Sequence, residues 1–217
     1  RMPDFECSVC GERFTVPQAA LDKYPGWSPR YCREHSPNRK KKAAKPAARR
    51  RRKSTSREEN LTVEQVLSKY TEGPANGVFT DGGSHPNPGP GGWGMVWVED
   101  GEIRQQAHGH DPETTNNRME LTALIAAFEA LPEDVEVTVH TDSKLCLDTI
   151  TKWAPTWERN GWKRKGNPLA NLDLVKPLLA LYRAHPHCKL QWIAAHNGYR
   201  WNEYADSLAS AWRRDEL

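Results

Sequence analysis

Apolar positions along the chain fall into two rhythms. From residue 76 onward, short runs suited to strands alternate with longer stretches of helical spacing. Residues 78–80 and 93–98 read as strands, with Pro86, Pro88 and Pro90 stiffening the loop between them. A third strand is expected over 103–108. Leu121, Leu124, Ile125 and Phe128 recur at i, i+3, i+4 and i+7, which predicts a helix over 116–131. Val135, Val137 and Val139 alternate with polar neighbours and predict a fourth strand. Helices are then expected over 143–153, 169–184 and 201–213, with a fifth strand over 189–194. Short loops between the first three strands favour antiparallel hairpins, and helical crossovers favour parallel pairing of the last two. The expected fold is α/β: a mixed five-stranded sheet flanked by helices.

Residues 1–75 follow a different pattern. Leu61, Val63, Val66, Leu67 and Tyr70 predict one short helix leading into the main domain. Before it, ten of the fifteen residues from Arg39 to Lys53 are Lys or Arg and none is acidic. Such a tract cannot bury enough apolar surface to offset its ordering entropy, so it reads as a disordered linker. The expected organisation is a cysteine-bearing unit over 1–36, a basic linker over 37–60, a helix and lead-in over 61–75, and the α/β domain over 76–217.

Charge sharpens this division. The net charge of +3 combines 17 Lys/Arg against 9 Asp/Glu in residues 1–75 with 14 against 19 in residues 76–217. A phosphate-rich partner would be drawn in by the basic part. Five cysteines, an odd number, with no secretory signal argue for a reducing compartment. No apolar stretch approaches the ~20 residues needed to span a bilayer. A soluble, cytoplasmic, monomeric protein without membrane contacts is expected.

Four acids stand in contexts that suit chemistry. Asp81 ends an apolar run and opens a glycine-rich loop, and Asp142 ends another run in Thr141-Asp142-Ser143. Glu120 and Asp206 fall on predicted helices. If the two strands are neighbours, the four carboxylates meet. Like charges that close repel, and Mg²⁺, a hard cation with a preference for oxygen, relieves the repulsion. Two such ions form the clamp used for in-line attack on a phosphodiester. Any one of these acids alone would read as a solvated strand end or a helix cap.

The segments around the acids occur in order: Asp81-Gly82-Gly83-Ser84-His85-Pro86-Asn87-Pro88-Gly89-Pro90-Gly91-Gly92-Trp93-Gly94, Thr114-Thr115-Asn116-Asn117-Arg118-Met119-Glu120-Leu121, Thr141-Asp142-Ser143, then His196-Asn197-Gly198 and Asn202-Glu203-Tyr204-Ala205-Asp206. Together they resemble the type 1 ribonuclease H family, which cuts the RNA strand of RNA–DNA hybrids, over about residues 76–214. The resemblance implies the ribonuclease H-like fold and two Mg²⁺ ions, with Mn²⁺ a possible substitute, held by Asp81, Glu120, Asp142 and Asp206. It implies products with 5′-phosphate and 3′-hydroxyl ends. His196 matches the family's mobile histidine, which serves proton transfer or product release. Asn87, Thr115, Asn116 and Asn117 match positions that touch the hybrid, and such short polar side chains suit recognition of a 2′-OH. Thr115 and Asn116 also suit helix capping. The stretch from Trp153 through Trp157 and Trp162 to Lys163, Arg164 and Lys165 resembles the family's basic protrusion, although Trp157 and Trp162 equally suit a core. Two positions depart from the family pattern: Glu113 replaces an arginine near the DNA phosphate pocket, and Lys144 stands where glutamine is common. The first weakens that pocket, and the second turns the contact towards a phosphate or ribose.

Near the N-terminus, Cys7-Ser8-Val9-Cys10-Gly11 pairs two thiols ahead of a glycine able to take positive φ. Cys32-Arg33-Glu34-His35 repeats the spacing after 21 intervening residues. A Cys₃His set closes a tetrahedral Zn²⁺ site, and a unit this small needs such a staple. A zinc-ribbon-like unit is expected, with a redox CxxC as the other reading. This unit does not resemble the hybrid-binding domain found at the N-terminus of many eukaryotic family members. The unit and the basic linker could add nucleic-acid or protein contacts.

Overall fold

In the computed structural model the chain divides into two units, Arg1–Arg57 and Glu58–Leu217. Residues 3–23, 26–36, 60–164, 166, 168–214 and 217 are described. The basic tract over 39–53 and Lys165 lie outside the described residues.

The first unit is built on a two-stranded antiparallel sheet. Strand β1 (Asp4–Glu6) pairs with β2 (Arg13–Thr15), setting Phe5 opposite Phe14. Between them the chain turns tightly: Gly11 N–H donates to the Cys7 carbonyl at 2.9 Å and Gly11 takes φ +72°. That left-handed conformation suits glycine. Helix α1 (Gln18–Lys23) follows, and Ser8 N–H reaches back to the Arg30 carbonyl at 2.8 Å, tying the first turn to the second cysteine segment.

In the second unit, helix α2 (Val63–Lys69) starts at a reciprocal capping box between Thr62 and Gln65. Three long strands follow: β3 (Gly77–Ser84), β4 (Gly89–Glu99) and β5 (Glu102–Thr114). Then come α3 (Asn116–Ala130), β6 (Thr138–Thr141), α4 (Lys144–Asp148), a π-helical turn (Thr149–Trp153), α5 (Ala154–Arg159), α6 (Leu172–Ala184), β7 (Lys189–Trp192) and α7 (Arg200–Ser210), which ends in a 3₁₀ turn (Ala211–Arg213). The sheet order is β5-β4-β3-β6-β7. β3–β4 and β4–β5 pair antiparallel, and β3–β6 and β6–β7 pair parallel, as the loop and crossover lengths predict.

Both faces of the sheet are covered, and successive residues of β3 serve opposite sides. Val78 packs with Met95, Leu121, Leu124, Phe128 and Leu178 beneath α3 and α6. Phe79 packs with Val96, Trp201, Tyr204, Leu208 and Val66 beneath α7 and α2. Trp157 and Trp162 are half-buried against the first of these clusters, so the core reading of both holds.

β3, β4 and β5 exceed their expected lengths, with glycines paired in the sheet, whereas β7 stops at Trp192, short of the expected 194. A Cβ on Gly82 would collide with the backbone of Met119 and Glu120, and one on Gly94 with Leu208 and Ala205. These bare positions let α3 and α7 lie directly on β3 and β4, which sets Glu120 and Asp206 over the sheet. Gly82→Ala is therefore expected to lift α3, lowering stability by about 1–3 kcal/mol, the usual range for overpacking. Denaturant midpoints check this, and an unchanged midpoint would mean that α3 rides freely on the sheet.

One strand starts later than its pattern suggests. Val135 and Val137 precede β6; their side chains pack on the core, while their carbonyls accept from Cys188 Sγ and Lys189 N–H. Burial alone produces their alternation.

Candidate active site

Asp81 lies within β3, opposite Gly94, and not at the strand's end as its sequence context suggests. Asp142 follows the last residue of the adjacent β6, whose Thr141 pairs with Thr80. The Trp192 indole N–H donates to the Asp142 carbonyl at 3.0 Å and fixes the chain there. Thr115 caps α3, accepting from Arg118 N–H at 3.3 Å, and Glu120 projects one turn in. Ligand atoms of Asp81, Glu120 and Asp142 lie within 4.8 Å of one another. The Asp206 carboxyl is close enough to Asp81 to hydrogen-bond with it. All four acids thus meet at one place.

Burial and mutual repulsion dominate the electrostatics. Burial raises the Asp81 carboxyl far above the usual carboxylate range, and the charges of Asp142 and Asp206 raise it further. Burial and the charges of Asp81 and Asp142 do the same to Glu120. Asp142 is also raised, chiefly by burial, although a hydrogen bond with Glu120 and the nearby His196 oppose the shift. Glu120 Oε2 is buried with no hydrogen-bond partner among the described residues. A carboxylate oxygen left so, beside other oxygen donors, fits a hard divalent cation.

His196 sits in the loop after β7 at φ +48°, a conformation uncommon for non-glycine residues. Its side chain is half exposed, with Nδ1 3.9 Å from Asp206 Oδ2 and 4.0 Å from Glu203 Oε2. Glu203 escaped the sequence reading. It is buried, and Oε1 accepts from Gly198 N–H at 3.0 Å, anchoring the histidine loop to α7. The available signal was its helical i, i+3 spacing from Asp206. Asn60, Ser84, Asn202 and Arg213 also line the cleft beside the acids without having been anticipated.

Of the residues expected to touch substrate, Asn87 and Asn116 form one network with Ser84 at the cleft edge. Asn116 Oδ1 accepts from Ser84 N–H at 2.7 Å, and Asn87 Oδ1 accepts from Asn116 N–H at 3.3 Å. Cys146 Sγ–H donates to Asn117 Oδ1 at 3.2 Å. Lys144, Trp153, Lys163 and Arg164 are exposed on the segment from α4 past α5, and Trp153 packs against Trp157 at 6.3 Å.

In the first unit, ligand atoms of Cys7, Cys10, Cys32 and His35 all lie within 4.8 Å of one another. Burial pushes the Cys7 thiol up, but backbone hydrogen bonds, that at Cys32 foremost, outweigh it and bring the thiol down to about 6. Cys10 is pushed up to about 11: a backbone hydrogen bond at Glu12 lowers it, but burial and the Cys7 and Cys32 sulfurs outweigh that bond. The Cys7 thiolate thus forms readily while Cys10 beside it resists ionising, a repulsion that a bound cation relieves.

A mixed five-stranded sheet with four carboxylates gathered over its centre is the architecture of ribonuclease H-like α/β domains. The chain resembles LC9-RNase H1, a type 1 RNase H with the type 2 active-site motif, with a TM-score of 0.53 and 31% identity over 64% of this chain and 72% of that one. Residues 74–213 match the family model for RNase H. The chain belongs to the RNase H family. Among its relatives, ribonuclease H of Novosphingobium aromaticivorans is 47% identical over 134 residues, covering 61% of this chain and 92% of that protein. Ribonuclease H of Gluconobacter oxydans is 45% identical over 145 residues, covering 66% and 95%.

Proposed function

We propose that the Glu58–Leu217 unit is an endoribonuclease that hydrolyses the RNA strand of RNA–DNA hybrids, leaving 5′-phosphate and 3′-hydroxyl ends. The observation that carries this reading is the convergence of Asp81, Glu120, Asp142 and Asp206, with a buried, unpartnered Glu120 oxygen among them. The relatives named ribonuclease H supply the substrate class. A hybrid-binding module without catalysis would not need the electrostatic strain of four gathered acids.

The four carboxylates would hold Mg²⁺, with Mn²⁺ able to substitute because its preferred ligands are also oxygens. A bound pair would supply activation of the attacking water and stabilisation of the leaving 3′ oxygen. Asp81, whose carboxyl interacts with both Asp142 and Asp206, would share in holding both ions. His196, half exposed and near Asp206, would move a proton at the cleft mouth. His196→Ala is expected to slow turnover by on the order of 10²–10⁴-fold without abolishing it. An unchanged pH–rate profile and kcat would reduce this histidine to a surface residue.

Asn87, Thr115, Asn116 and Asn117 would face the minor groove, where a 2′-OH needs both a donor and an acceptor. Lys144, Trp153, Lys163, Arg164 and Lys165 would meet the DNA strand, by phosphate contact and stacking. Cleavage of labelled strands in RNA–DNA, RNA–RNA and DNA–DNA duplexes with Mg²⁺ tests the reading: only the RNA of the hybrid should be cut. Comparable cutting of RNA–RNA would overturn the substrate assignment.

The first unit would hold one structural Zn²⁺ through Cys7, Cys10, Cys32 and His35. Such a closed Cys₃His site leaves no open position for hydrolysis. On this reading residues 1–36 fold around the metal and 37–60 form a basic, phosphate-seeking linker to the catalytic domain of a soluble, monomeric cytoplasmic enzyme. Among the described residues no helix is long and apolar enough to cross a membrane.

A further inference from the structure

The first unit carries a groove that neither the hydrolytic site nor the sulfur cluster explains. Its walls are Phe14, Thr15 and Val16 on and just after β2 and the segment from Trp27 to Arg33, with Ser36 beside them. Two aromatic side chains stand open in it, Trp27 at 51% exposure and Tyr31 at 40%. Arg30 and Arg33 flank them, both exposed, and no carboxylate is among the described lining residues. Large rings left in water forgo the stabilisation of burial, so two together in a concave, cationic setting point to a ligand with flat apolar faces and negative charge.

We propose that this groove binds single-stranded nucleic acid, with unpaired bases stacking on Trp27 and Tyr31 and the backbone phosphates meeting Arg30 and Arg33. Rings and cations in one groove are the pattern of stacking platforms, which tolerate any base because every base has a π-face. A duplex fits less well, because its bases are already stacked and hidden. The charge of the chain agrees: the tract that follows in sequence, residues 39–53, has ten Lys/Arg and no acid. Cys32 is both a groove residue and a member of the sulfur cluster, so a metal there would brace the wall that carries Tyr31. The proposal does not depend on the hydrolytic reading, since binding is measured on strands that the other unit is not expected to cut.

The test is fluorescence anisotropy of the full chain with labelled oligo(dT), oligo(U) of equal length and a DNA duplex, without Mg²⁺. Salt is kept high enough to weaken phosphate contacts made by the basic tract. For the double variant Trp27→Ala/Tyr31→Ala, Kd for single strands should rise about tenfold or more for each ring removed, with duplex binding nearly unchanged. Trp27→Phe should keep most of the affinity. Unchanged zinc content and unchanged hybrid cleavage at saturating substrate show that the variant is folded. A loss on oligo(dT) alone or on oligo(U) alone supports the site and shows which strand it prefers. An unchanged Kd, leaving the groove to a protein or to another part of this chain, overturns the proposal. An equal loss on the duplex also overturns it.

Discussion

Asp81→Asn should leave no detectable cleavage of an RNA–DNA hybrid, and the same substitution should make the metal-depleted catalytic unit more stable at neutral pH. Both outcomes follow from one feature. The Asp81 carboxyl is buried against Asp142 and Asp206 and raised well above its usual 3.8. The folded state therefore holds its proton more tightly than the unfolded chain does. Stability from this group is fully present below about pH 3.8 and is lost as pH rises through the raised value. At neutral pH the wild type bears the penalty of a buried charge or of a proton held against the solution, and asparagine has neither. The gain in melting temperature should shrink as pH falls and vanish below about 3.8, where the wild-type carboxyl is neutral in both states. Added Mg²⁺ should stabilise the wild type and hardly affect the variant, since a ligand stabilises only the state that binds it. Substantial Mg²⁺-dependent turnover by Asp81→Asn, or a lower melting point at neutral pH without metal, would remove Asp81 from the centre of the site.

The second large effect belongs to the first unit. Protein prepared without added metal should contain about one zinc per chain, and Cys10→Ser should contain none. Among the described residues, short strands, one short helix, the Ser8–Arg30 hydrogen bonds and the Phe5–Phe14 contact support this unit otherwise. Binding of a structural zinc contributes on the order of 10–16 kcal/mol in such small domains, so its loss should unfold residues 1–36. Limited proteolysis would show rapid cutting there, while the Glu58–Leu217 unit keeps its melting transition and its hybrid cleavage. Zinc-free wild-type protein that resists proteolysis would refute the metal site. A Cys7–Cys10 disulfide would favour the redox reading.

Much of the site was legible because catalytic acids announce themselves by context. Asp81, within β3 after Val78-Phe79, and Asp142, just past the end of β6 after Val139, are brought close by the parallel pairing of those two strands alone. The helix carrying Glu120 was legible from the spacing of Leu121, Leu124, Ile125 and Phe128, and its observed span Asn116–Ala130 differs by one residue. Glycine obscured more. Gly82-Gly83 and Gly91-Gly92 read locally as loop, whereas all four lie in the β3–β4 ladder, with Gly82 opposite Trp93, Gly83 opposite Gly92 and Ser84 opposite Gly91, and Gly82 and Gly92 leave room for the backbones of α3 and α7. That requirement is tertiary and leaves no periodic trace. The π-helical turn Thr149–Trp153 inside the expected helix was hidden for a similar reason: an extra residue per turn changes no residue type. Glu203 was missed because a buried acid that accepts from a loop N–H looks, in sequence, like any exposed helical glutamate.

The most direct test of the account is one cleavage reaction, analysed for its dependence on metal and for the ends it produces. Water attacking the phosphodiester leaves a 5′-phosphate and a 3′-hydroxyl, whereas attack by the neighbouring 2′-OH leaves a 2′,3′-cyclic phosphate and needs no metal. A 5′-labelled RNA annealed to DNA should stay intact with EDTA. Added Mg²⁺ should restore its cutting, into fragments that end in a 3′-hydroxyl and carry a 5′-phosphate. Cleavage that persists in EDTA, or fragments that end in cyclic phosphate, would contradict hydrolysis by the cluster of Asp81, Glu120, Asp142 and Asp206.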